Sequence, residues 1–81
     1  MANYIATFHT HLAAMRSARS LKDKAETVAL SPVPRALSSS CGTCVRYTAQ
    51  DTCREAMDND LESIAVSLGD EKYDVIYKAE E

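Results

Sequence analysis

Apolar and polar positions along the chain set out a short succession of elements. Residues 3–8 (NYIATF) are rich in β-branched and aromatic side chains and stop before a polar pair, which predicts a strand. Thr10 then predicts the cap of a helix reaching about residue 25. Its apolar stripe is His11, Ala14, Met15, Ala18, Leu21 and Ala25, spaced three and four apart. His11, at the head of that stripe, reads as a first-turn packing residue, and Arg16, Arg19 and Lys22 fall on the wet side. Residues 27–33 (TVALSPV) predict a second strand, interrupted by Pro32 and Pro34 because proline has no N–H to continue a ladder. A loop (RALSSSCG, 35–42) follows. In TCVRYT (43–48), Thr43, Val45 and Tyr47 alternate with Cys44, Arg46 and Thr48, which predicts a third strand. Asp51 predicts the cap of a second helix to about residue 68, striped by Cys53, Met57, Leu61, Ile64 and Leu68, with Gly69 as its stop. The acidic run DNDLE falls on a solvated face of that helix. KYDVIYK (72–78) predicts the last strand, and KAEE a solvated tail.

The order β-α-β-β-α-β predicts an α+β fold: a ferredoxin-like sandwich with a four-stranded antiparallel sheet and both helices on one face. Right-handed crossovers place the first and third strands centrally, running in opposite directions. The end of strand one (FHT) and the start of strand three (CGT) then share a sheet edge with the amino end of the first helix. His9, Thr10 and His11 are thereby expected beside the loop that holds Cys41.

Length and composition narrow this picture. A chain of 81 residues, 46% hydrophobic and 26% charged, predicts one globular domain over residues 1–81. A net charge of −3 argues against nucleic acid or an anionic membrane as the main partner. No segment has the length of a membrane span, and MANYIATFHT lacks the charged and apolar blocks of a signal peptide. Three cysteines, an odd count, cannot close a complete disulfide framework, so free thiols in a reducing cytoplasm are expected.

Candidate chemistry gathers in SPVPRALSSSCGTCVRY (31–47). Cys41 precedes a glycine at a loop-to-strand junction, where the backbone turns sharply and leaves the side chain exposed. A helix amino end, Arg35 and Arg46 are its expected neighbours, and both kinds of neighbour favour the reactive thiolate. Ser39 and Ser40 offer hydroxyls to an anion or to the loop backbone. Cys44 suggests a redox Cys-x-x-C pair, but three residues of extended chain span about 10 Å and set the two thiols on opposite faces. A disulfide requires Cα atoms within about 7 Å. His9, His11, Cys41 and Cys44 hold zinc-binding atoms, but not at positions that suit a tetrahedral site, so no metal is expected. Cys53 reads as a core filler.

YIATFHT followed by a helix, then PVPRALSSSCG and an alternating strand containing VRY, resembles the selenium/sulfur carrier protein-like family of small bacterial domains. The resemblance runs from Tyr4 to about Tyr77 and is densest from Pro32 to Gly42. It implies that Cys41 is the carrier thiol, holding a covalent persulfide or perselenide with no other cofactor. Thr10, Arg35, Ser39, Ser40, Gly42 and Arg46 would support the anion. The partners implied are sulfur or selenium donor and acceptor proteins, and the chain acts as a carrier rather than a stand-alone catalyst. Cys44 departs from the family pattern, which places a small apolar residue there, and the roles of His9 and His11 stay open. Two other readings remain: an interaction module that homodimerises through an open sheet face, and a thiol–disulfide protein using Cys41 and Cys44.

Overall fold

The computed structural model describes residues 1–79. β1 (Ala2–Phe8) is the middle strand of one antiparallel sheet, ordered β2 (Thr27–Pro32), β3 (Thr43–Ala49), β1, β4 (Leu61–Gly69), β5 (Lys72–Lys78). Every residue from Tyr4 to Phe8 is buried, so both faces of this strand are covered. β2 is an edge strand, where Pro32 costs the sheet no ladder bond on its outer side. The expected neighbourhood of strands one and three holds: β1 and β3 pair antiparallel from Ala2↔Ala49 to Thr7↔Cys44.

α1 (His11–Leu21) is the single α-helix among the described residues. Thr10 caps it with extended backbone, its Oγ1 accepting the Ala13 N–H at 3.1 Å. The helix stops at Leu21 rather than near residue 25, and its buried stripe is Ala13, Ala14, Ser17, Ala18 and Leu21. His11 and Met15, expected on that stripe, are exposed. Both stripes satisfy three-and-four spacing. The one with small residues lets the helix approach the sheet closely, and the buried Ser17 hydroxyl is satisfied by the Asp58 N–H at 2.8 Å.

The expected four strands and two helices become five strands and one helix. The second helix is replaced by a loop, a 3-10 turn (Arg54–Ala56) and β4. Three local signals have different physical causes from those a helix would require. Phe8 pairs with Leu61 but Thr7 with Ser63, so Glu62 is the extra residue of a β-bulge. That insertion puts Leu61 and Ile64, three apart, together in the core with Phe8 and Ala6, and so reproduces helical spacing in a strand. Asp51 accepts the Cys53 N–H at 2.8 Å in a two-residue side-chain turn, not a helix cap. Gly69 (φ +85°) leads into a hairpin whose central residues Asp70 and Glu71 have φ of 51° and 60°, as a type I′ connection requires.

The two sheet faces are covered differently. On one, α1 packs over β1, β2 and β3, around Tyr4, Ala6, Phe8, Val45 and Tyr47. The rings of Tyr4 and Tyr47 stack with centroids 5.3 Å apart, and the Tyr47 hydroxyl donates to the Thr52 carbonyl at 2.7 Å. Cys53, Ala56 and Met57 fill the same core beside β4 and β5, with the Arg54 guanidinium 3.9 Å above the Tyr77 ring. The opposite face was expected to lie open. Instead Ile5, Thr7, Cys44 and Ala65 on it are buried. Residues 34–38 cross this face, lining clefts with Arg46 on β3 at one end and with Ser63 and Val75 on β4 and β5 at the other.

Candidate functional site

Four segments meet at one end of the sheet: the exit of β1, the first turn of α1, the loop into β3 and the entry to β4. The His9 N–H donates to the Asp60 carbonyl at 3.1 Å, and Thr10 Oγ1 donates to Asp60 Oδ2 at 3.4 Å. Ser39 Oγ donates to the Phe8 carbonyl at 3.0 Å. Ser40 is held twice by Glu62: its hydroxyl donates to Oε2 at 2.8 Å and its N–H lies 3.3 Å from Oε1. His9 Nδ1 is 3.4 Å from both Ser40 Oγ and Glu62 Oε2, and His11 Nδ1 is 3.2 Å from Thr43 Oγ1. Cys41 lies between Ser40 and Thr43, half-buried, with its thiol donating to the Thr43 carbonyl at 3.4 Å. Gly42 makes that fold-back feasible, because its φ of +73° is a left-handed conformation that side chains disfavour.

Glu62 anchors the electrostatics. Partial burial works against its charge. The Ser40 hydroxyl, the adjacent Ser39 hydroxyl, the Ser40 N–H and His9 outweigh that burial and hold its carboxyl below the usual carboxylate range. The bulge is what aims it. An extra residue in β4 turns this side chain toward the loop instead of leaving it in the alternation of the strand.

Residues 3–73 match the model of a family described as "Putative Se/S carrier protein-like". The chain belongs to this family. No curated protein and no solved structure matches it closely enough to show a further relationship. The family match spans the whole edge just described, from His9 to Glu62, and stops early in β5.

Within the family's span, the candidate residues divide into two groups. His9, Thr10, His11, Ser39, Ser40, Cys41 and Gly42 converge at the edge. Arg35 and Arg46 do not join them. They line a separate cleft on the loop-covered face with Pro34, Ala36, Glu71 and Tyr73, and Arg46 Nε donates to Ser31 Oγ at 2.9 Å. Neither forms an ion pair or hydrogen bond with Cys41. Arg46 lies three residues up β3 from Thr43, about 10 Å away along an extended strand. Cys44 is fully buried on the loop-covered face, donating to the Pro32 carbonyl at 3.6 Å, with Ser31 Oγ 3.4 Å away.

All three cysteines are free. Cys53 is buried in the core, but from a loop position with φ of 54°, and burial with the adjacent Asp51 raises its thiol above the ordinary value. Among the described residues, no three of His, Cys, Asp and Glu converge as metal ligands, and no helix is long and apolar enough to cross a membrane. Glu62 is the site residue that sequence reasoning missed. Reading residues 61–69 as a strand would have placed it at the edge beside Phe8. The β-branched Ile64 and Val66 were the available signal.

Proposed function

We propose that this chain carries sulfur or selenium as a persulfide or perselenide on Cys41 and hands it to a partner protein. The observation that carries this reading is accessibility. Of three free thiols inside the matched family region, Cys41 alone is not buried. Its loop stands at one end of the sheet with the thiol half-exposed, so a donor's sulfur and an acceptor's can each approach it. Transfer needs no external oxidant or reductant. Cys41 attacks the outer sulfur of a donor persulfide, one S–S bond forms as another breaks, and the donor leaves as a thiol. The α1 amino end contributes about half a positive charge beside the loop, and the Ser40 anchor and the Gly42 turn hold the thiol in place. Arg35 and Arg46 are left out of this role, since they serve another cleft. A free-thiol carrier of this kind suits a reducing compartment such as the cytoplasm.

The test is intact mass after incubation with a small-molecule persulfide. The native chain gains one sulfur atom, the gain is reversed by a thiol reductant, and Cys41→Ser gains nothing. No adduct, or an adduct that persists in Cys41→Ser, ends the carrier reading.

One observation favours the interaction-module alternative. β5 is an edge strand exposing Val75 and Ile76 between Lys72 and Lys78. A homodimer would pair there and not through the covered sheet face. Size-exclusion chromatography across concentration measures it.

A further inference from the structure

We propose that His9 is the proton-handling group of the Cys41 edge and that Glu62 is its positioning residue. This rests on the carrier reading only for the identity of the cargo. The Cys41 Sγ lies 3.4 Å from the Thr43 carbonyl, within reach to donate to it, and the thiolate rather than the thiol is the form that attacks sulfur. A base is therefore needed near the loop. His9 meets that need through its partners. Ser40 Oγ gives its one proton to Glu62 Oε2, so it accepts from His9 and thereby fixes the proton of the neutral imidazole on Nδ1, 3.4 Å from the same carboxylate oxygen. Nε2 is thereby left with its lone pair and with no protein partner among the described residues, on a side chain 41% exposed.

The same carboxylate grips Ser40 through both hydroxyl and N–H, and Ser40 immediately precedes Cys41. Adjacent Cα atoms are about 3.8 Å apart, so one carboxylate sets both the imidazole and the chain that bears the thiol. A structural latch would require only the Ser40 bonds. The bulge at Glu62 adds the histidine, and bulges that redirect a side chain are enriched next to active sites. The other charged or titratable groups around His9 are Asp60, whose carbonyl receives the His9 N–H, and His11, which is committed to Thr43.

The steps balance. Neutral His9 takes the Cys41 proton and the thiolate attacks the outer sulfur of R–S–SH. The leaving R–S⁻ then recovers a proton from the imidazolium. Net, Cys41–SH and R–S–SH become Cys41–S–SH and R–SH.

The experiment is peptide-resolved iodoacetamide labelling of Cys41 from pH 5 to 9 on native chain, His9→Gln, His11→Gln and Glu62→Gln, with folding checked by thermal melts. In the native chain the Cys41 rate rises with pH through a step that requires His9. His9→Gln abolishes the step and slows Cys41 at least about fivefold at pH 7, within the usual reach of general-base catalysis. Glu62→Gln keeps the step at reduced amplitude, and His11→Gln changes the rate less than twofold. A His9→Gln profile that matches the native one overturns the proposal, as does a larger loss in His11→Gln than in His9→Gln. Labelling needs no sulfur donor. A chain that fails the persulfide mass test but keeps a His9-dependent step retires the carrier reading and leaves this one standing, and the converse result does the opposite.

Discussion

Phe8 and Ile5 lie on opposite faces of the same strand, and both are buried, but different structures bury them. Phe8 meets α1 and the apolar cluster of Ala13, Ala14, Leu21 and Tyr47. Ile5 lies outside that cluster, with Thr7, Cys44 and Ala65, on the face crossed by residues 34–38. The helix side is held by regular packing of side chains. The loop side depends on specific polar contacts: Thr7 Oγ1 to Ser63 Oγ, Ser39 to the Phe8 carbonyl and Ser40 to Glu62. A loop pinned by a few polar groups can hold a reactive thiol at its end and still open locally. Segments with few apolar contacts unfold at lower free-energy cost than the core, and binding loops are drawn from them.

The largest test of this contrast is Phe8→Ala. It should destabilise the fold by about 3–5 kcal/mol in urea titration, because a helix seated on a sheet cannot collapse into the space left. Ile5→Ala should cost less, about 2 kcal/mol, since an irregular loop relaxes more easily. It should also expose Cys44 to alkylation below the unfolding midpoint, which Phe8→Ala should not do. Equal costs with no selective Cys44 labelling would erase the distinction between the faces.

Glu62→Gln sharpens the comparison through pH. The folded carboxyl titrates below its unfolded value, so its contribution to stability is complete above the unfolded value of about 4.3. It is lost as pH falls through the lower folded value. The variant should be about 1–2 kcal/mol less stable than native at pH 7. The gap should close as pH falls below about 4. A gap that stays constant from pH 7 to pH 3 would mean that the loop is held by other contacts. The smallest effect is expected from backbone conformation alone. Glu71→Gly relieves a left-handed side chain in the β4–β5 turn and should stabilise the chain by about 0.5–1 kcal/mol in thermal melts.

Patterns within a few residues were enough for much of the fold. The alternation in TCVRYT, the capping hydroxyl of Thr10 and the aromatic and β-branched content of NYIATF and KYDVIYK each specify a local backbone state, and each element forms. The convergence of His9, Thr10 and His11 on the Cys41 loop was also legible, because it follows from the pairing of strands one and three. Signals that depended on a distant partner were not. Leu61 and Ile64 have helical spacing, and only pairing with β1 makes Glu62 a bulge and turns its carboxylate to Ser40 and His9. Arg35 and Arg46 flank Cys41 in the sequence, yet the path of residues 34–38 across the sheet carries them to a cleft with Glu71 and Tyr73. Spacing along a chain encodes which face a residue shares with its near neighbours. Which distant strand or loop lies against that face is decided by hydrogen-bond pairing and burial over the whole molecule. Tertiary structure alone therefore supplied the carboxylate, removed the arginines and covered the second face.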